Sequence, residues 1–395
     1  MRSLAPLLLL AACTDSGSSP TTALQMNDLS VMFPLPQTTA AFDAMLPANA
    51  PALEGGEILP QATFESGSPG VLYEGLVAVA FRLDPCFGNP GTISDGPGCQ
   101  NQLRIVFQPL FDSGGGVAMA NDIAVHAFYD ISRSELLQII DEIRAAREEA
   151  GQTTDLGPLQ MHPIIVDQGN DGAFAQHLRG ILTEHAGASK LVRFTTLQIE
   201  EIFANSGDNP PVGGSEFWIM NGFDVASGTA AGFAIPTLPD GSLSETFTAG
   251  VDPLLANGSP ATTAADNILA ISDPSTAPTV AQEQAAVDAA LRIENPLMHS
   301  PNTIDCVSCH LAPPARQLNA SELTGSPGTE FQPAAQIPAD DLVQTTDFFT
   351  DEDEVLNIHA FSYRNGTPMI NQRVINETAA NLAYLSAFVE TAPSD

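Results

Sequence analysis

Positive charge is what this chain has least of. Lys190 is its one lysine, and 13 Lys and Arg stand against 47 Asp and Glu, a net charge of −34 over 395 residues. No basic patch can be assembled from that inventory, which excludes nucleic acid as a partner and sets the body of the protein against an anionic membrane surface. Long apolar runs are missing too. The stretch from Leu4 to Ala12 is far too short to span a bilayer, and no later run is longer. There is no glycine-rich phosphate loop, no nucleophile elbow, no HExxH and no internal repeat, so the common nucleotide, esterase and zinc-protease chemistries have no motif to rest on. Cysteine is scarce at 5 residues and histidine at 7, which makes their placement informative.

Two of those cysteines and one histidine fall in Cys306-Val307-Ser308-Cys309-His310. CxxCH is the spacing at which two thiols can take up the vinyl groups of one haem c while the next residue sets an imidazole under the iron as proximal ligand. At this composition the pattern arises by chance on the order of once in a thousand chains. The competing reading is a zinc or redox CxxC followed by an unrelated histidine.

At the N-terminus, Arg2 and the apolar stretch lead into Leu10-Ala11-Ala12-Cys13, which resembles a bacterial lipobox. The resemblance implies export, cleavage before Cys13 and acylation of its thiol. Residues 1–12 are then a signal peptide and 13–25, rich in Ser, Thr, Gly and Pro, a tether. Acyl chains would hold the protein on a membrane, the outer one favoured, facing the periplasm or the cell surface. With Cys13 and the CxxCH pair set aside, Cys86 and Cys99 remain as an even pair in an oxidising compartment, and they are expected to form a disulfide. Gly and Pro crowd the loop between them, and closing a loop of that length contributes roughly 3 kcal/mol in the chain-entropy model. Reduced thiols holding a metal are the alternative.

Length and 44% apolar content suit about two domains. A small-residue stretch from Asn257 to Pro278 marks the expected division between an α+β domain over 26–277 and a haem domain over 278–395. Period-two alternation predicts strands around Leu76–Phe81 and Leu103–Gln108, with further strands at Ile123–Tyr129, Lys190–Leu197 and Glu216–Val225. Helices are predicted over Arg133–Glu149, where Ser132 and Glu135 form a capping-box pattern, and over Ala173–His185. Of the histidines in this part, His126, His162, His177 and His185 are metal-capable, but core-edge packing is the simpler reading for each. His177 and His185 share a helix face two turns apart. Trp218 reads as a buried strand aromatic, with electron relay the alternative.

The last third is helical in pattern, with helices predicted over Val280–Arg292, capped by Thr279 and Gln282, and over Gln372–Val389. A helix before CxxCH, a terminal helix reading Asn381-Leu382-Ala383-Tyr384-Leu385 and a Met in Gly366-Thr367-Pro368-Met369 resemble class I cytochrome c across about residues 278–395. The resemblance implies a small all-α domain with Cys306 and Cys309 at the thioethers, His310 proximal and Met369 as distal ligand on an extended loop. His359 and His299 are the alternatives for that distal position. Arg364 and Arg373 flank the loop and are candidates for pairing with a haem propionate. The run Asp351-Glu352-Asp353-Glu354 reads as a solvated helix start.

The expectation is thus an exported, lipid-anchored monohaem cytochrome passing single electrons to an unknown partner. That partner's docking surface should be basic, because this chain cannot supply a lysine ring of its own. An enzyme using the haem on a substrate, peroxide or a small gas is the second reading, and a surface binding or sensor protein the third.

Overall fold

The computed structural model describes residues 22–68, 73–87, 100–114, 116–199, 216–238, 240–249, 252–259, 266–324 and 358–389. Within them, eleven strands make one antiparallel sheet: β1 (Ser30–Met32), β2 (Leu46–Pro47), β3 (Leu76–Phe87), β4 (Gln100–Asp112), β5 (Ala118–Ala120), β6 (Ala124–Ile131), β7 (Leu191–Ile199), β8 (Glu216–Ala226), β9 (Thr229–Gly232), β10 (Ser244–Ala249) and β11 (Asn257–Ser259). The order is β1-β3-β4-β6-β7-β8-β10-β11, with β2 added to β3, β5 to β4 and β9 to β8. The helices are α1 (Met26–Leu29), α2 (Gln61–Gly67), α3 (Arg133–Glu149), α4 (Pro163–Gln168), α5 (Ala173–His185), α6 (Ile268–Ile271), α7 (Val280–Ile293), α8 (Cys306–Thr324) and α9 (Gln372–Val389). A separate hairpin joins β12 (Phe361–Arg364) to β13 (Thr367–Ile370).

Alternation along the long central strands sends successive side chains to opposite faces, and the two faces differ in character. Val79, Phe81, Leu103, Ile105, Phe107, Val125, Ala127 and Phe194 share one buried cluster with the apolar stripes of α3 and α5. Those stripes are the ones the sequence predicts: Leu136, Ile140 and Ile143 on α3, and Phe174, Leu178, Ile181 and His185 on α5, are all buried. Helix α3 starts where expected, because Ser132 Oγ accepts from Glu135 N at 3.2 Å while Glu135 Oε2 accepts from Ser132 N at 2.8 Å. The other face carries Arg82, Arg104, Val106, His126, Phe128, Thr195, Leu197 and Met220, and these line a cavity instead of a solid core.

The expected small all-α C-terminal domain is not there. Residues 278–395 contribute the β12/β13 hairpin as well as α7, α8 and α9, and all of them pack on the sheet. Val374, Ile375, Ala379, Leu382 and Leu385 of α9 belong to the same cluster as the central strands. Ala289, Ala290 and Ile293 of α7 and Val307 and Leu311 of α8 pack with Trp218, Met220 and Phe247 of β8 and β10. Helices α7 and α9 form where the sequence predicts them, but the small all-α domain that the resemblance implies does not. The physical reason lies in the sheet, whose second face is too large and too apolar at its β8–β10 end to stay uncovered, and these helices cover it. Within the small-residue stretch, Asn267 caps α6, and the amide of Ile268 donates to Ser308 Oγ at 2.9 Å.

Candidate functional site

Helix α8 begins on the motif itself, so Cys306, Cys309 and His310 all lie in its first turn and a half. Its N-terminus is held by side chains from three distant segments. Asp305 Oδ2 accepts from the amide of Ser308 at 2.8 Å, and Glu245 Oε2 on β10 accepts from the amide of Val307 at 3.0 Å. The second oxygen of Asp305 accepts from Asn267 Nδ2 at 2.6 Å and from Thr237 Oγ1 at 2.9 Å. Two acidic groups at a helix start suit the dipole, but side by side and buried they cannot both ionise cheaply. Burial, then the charge of Asp305, push Glu245 up to about 9, so Glu245 keeps its proton. Further along, α8 is tied to α7 by the fully buried pair Arg316–Glu294 at 2.8 Å. Pro313 and Pro314 stand four residues beyond Cys309 and His310, so the carbonyls of those two residues receive no helical amide.

Cys306, Cys309 and His310 open into one cavity of about 150 Å³, partly open to solvent, between this helix, the start of α9 and the polar face of the sheet. His310 Nδ1 lies 2.7 Å from the carbonyl of Ile358 and must donate to it, since a carbonyl oxygen only accepts. The ring is thereby oriented, its Nε2 keeps a free lone pair, and burial holds the imidazole neutral by lowering its pKa. Both cysteines remain thiols: burial, then Glu245 and Asp305, raise Cys306, and burial raises Cys309 to about 11. A redox CxxC needs the opposite shift. Nor do the three side chains converge as a metal cage. Among the described residues the only such trio is Glu142, Glu184 and His185, on the helical layer across the sheet.

The sheet wall adds charge and a second imidazole. Register places Arg82 of β3 opposite Arg104 of β4, and Arg104 opposite Phe128 of β6. Asp84 bridges Arg82 and Arg104 at 2.5 and 2.9 Å, and Glu377 of α9 bridges Arg82 and Arg373 at 2.6 Å each. Three guanidinium groups thus face two carboxylates. Burial alone would raise Glu377, but Arg373, Arg82 and Arg104 outweigh it and hold that carboxyl well below its ordinary range. His126 of β6 lines the cavity two residues from Phe128, and burial, then Arg104 and His310, hold its pKa well below the usual value.

Of the residues the sequence singles out, Cys306, Cys309, His310 and Arg373 come together here. Arg373 is also pinned to the carbonyls of Ile293 and, at 2.8 Å, His299. Met369 is not in the lining. Asn365-Gly366 is a two-residue turn, so Gly366 to Met369 form the return strand of a hairpin, with Met369 opposite Ser362 and 4% exposed. His359 packs edge-on against the fully buried Trp218 and lies 3.3 Å from Asp122 Oδ1, while His299 is bound to Asp266 at 2.8 Å; neither lines the cavity. Arg364 is buried in β12, also away from it. His162 is packed against Phe174, with burial driving it down to about 3. Cys86 is disulfide-bonded, whereas its expected partner Cys99, the lipobox Cys13 and the acidic run 351–354 lie outside the described residues.

No protein-family model, no curated protein and no solved structure matches the chain, so the site has to be judged on its own chemistry.

Proposed function

We propose that the cavity holds one haem c, attached through Cys306 and Cys309 with His310 as proximal ligand, and that the protein is an exported electron carrier. The observation that carries this reading is the convergence of two protonated thiols and an oriented imidazole with a free Nε2 on one cavity. A haem bound there supplies a one-electron ferric/ferrous couple. The chain's own residues do the rest. The Ile358 carbonyl fixes the tautomer and the aim of His310. The Glu245, Asp305 and Asn267 clamp fixes the helix that carries both thiols. Arg82, Arg104 and Arg373, with one positive charge in excess over Asp84 and Glu377, suit a ring that bears carboxylates. Phe128, Leu197 and Phe361 supply apolar wall.

The disulfide at Cys86 supports an oxidising compartment, in keeping with export and lipid attachment at Cys13. The test is to mature the full chain in a host with a cytochrome c assembly system, denature it and stain for haem. One covalent haem per chain is expected, abolished in the Cys306→Ala/Cys309→Ala double variant. A wild-type chain that carries no haem through denaturation ends the proposal.

A further inference from the structure

We infer that His126, on the sheet wall of the cavity, supplies the second axial nitrogen to the iron, giving a bis-histidine centre. The inference rests on the haem reading above and specifies the half of the coordination that the motif leaves open. A sixth ligand must come from a side chain that lines the cavity and carries an unprotonated nitrogen or a thioether. Apart from the motif's own residues, two lining residues qualify among the described residues: His126 and Met220.

Their surroundings separate them. Met220 is 2% exposed and packed in the apolar cluster with Leu197 and Trp218, as an ordinary core thioether would be. His126 makes no hydrogen bond among the described residues, and its half-buried ring lines the space a haem would fill. His310 lines the same cavity. Its placement is rigid: β6 is an interior strand, and His126 is paired with Val106 of β4 on one side and Thr195 of β7 on the other. The two imidazoles therefore approach the same space from separate layers, one from the first turns of α8 and one from the sheet. Metal ligands are commonly oriented by a hydrogen bond to the other ring nitrogen, and His310 has that bond. Water or a haem substituent is left to provide it for His126.

Sequence order conceals this pairing, since the two histidines stand 184 positions apart, 126 against 310. The residues suggested by the cytochrome c resemblance are all otherwise placed: Met369 is in the hairpin, His359 is beside Asp122 and His299 is on Asp266.

The experiment uses the matured full chain. In the oxidised wild type, the near-infrared charge-transfer band and the electron paramagnetic resonance spectrum distinguish nitrogen–nitrogen from nitrogen–sulfur ligation without any mutation. A low-spin bis-imidazole signature with no sulfur–iron absorption is expected. His126→Ala should keep the covalent haem, turn high-spin, bind carbon monoxide when reduced and return to low spin on adding imidazole, while Met220→Leu and Met369→Leu leave the spectrum unchanged. A sulfur–iron band in the wild type overturns the inference, whichever methionine supplies it. So does a low-spin spectrum that survives His126→Ala. Both outcomes leave covalent haem attachment standing, whereas a wild type without covalent haem overturns the attachment reading and this inference together.

Discussion

Glu245 occupies a place where helices ordinarily want a carboxylate, yet it keeps its proton up to about 9 because it is buried beside Asp305. In the unfolded chain the same group ionises near 4.5. Its contribution to stability is therefore full below about pH 4.5 and is lost as pH rises towards 9, at a slope of about 1.4 kcal/mol per pH unit within that window. Glu245→Gln retains an oxygen for the Val307 amide and carries no proton to lose. The variant's urea midpoint should overlay that of the parent near pH 4 and rise progressively above it by pH 8. Parallel curves across that range would show that Glu245 is not held neutral. At this scale the sequence is legible only where chemistry is encoded locally. Cys306, Cys309 and His310 announce themselves in five residues, whereas Arg82, Arg104 and His126 look like the polar side of three unrelated strands. What makes them a site is a lateral register between β3, β4 and β6, and alternation along one strand says nothing of which strand lies beside it.

Elements with strong local signals form as their residues predict. Helix α9 spans Gln372–Val389 and α3 spans Arg133–Glu149 as expected, because apolar stripes and caps agree over four or more turns. The segment around Met369 does not, and the signal that mattered was one step earlier. Asn365-Gly366 between two four-residue strands is a hairpin turn pattern, and Asn365 adopts φ 51°, a conformation that Asn tolerates and β-branched residues do not. Gln108 then fastens the hairpin to β4, its side-chain amide donating to the Tyr363 carbonyl at 2.9 Å and its Oε1 accepting from the Tyr363 amide at 2.6 Å. Asn365→Gly should leave thermal stability within a few tenths of a kcal/mol, and Asn365→Val should lower it by about 1–2 kcal/mol. Equal melting temperatures for the two variants would mean that the turn is not held in the left-handed conformation.

Over the whole molecule, the net charge of −34 and the arginines gathered on an interior wall leave the outside strongly negative. Such a surface attracts a basic redox partner from a distance, and salt shortens that reach from about 30 Å at 0.01 M to about 8 Å at 0.15 M. Second-order electron transfer between the matured protein and a lysine-rich redox protein should slow at least several-fold over that range. A rate that holds steady would mean that charge does not steer the encounter. Fold class is the point at which the sequence misleads most. Helical periodicity in the last third is real, but periodicity cannot say whether a helix packs on another helix or on a sheet formed a hundred or more residues earlier.

The cavity walls come from positions as far apart as 82 and 377, and both motif thiols face that space, each half-buried. A haem attached at Cys306 and Cys309 would therefore touch β3, β6, α8 and α9 at once. On the proposed reading it would act as a keystone as well as a cofactor, because a ligand that binds only the closed fold stabilises that fold. A chain without haem would close the same walls around an empty space.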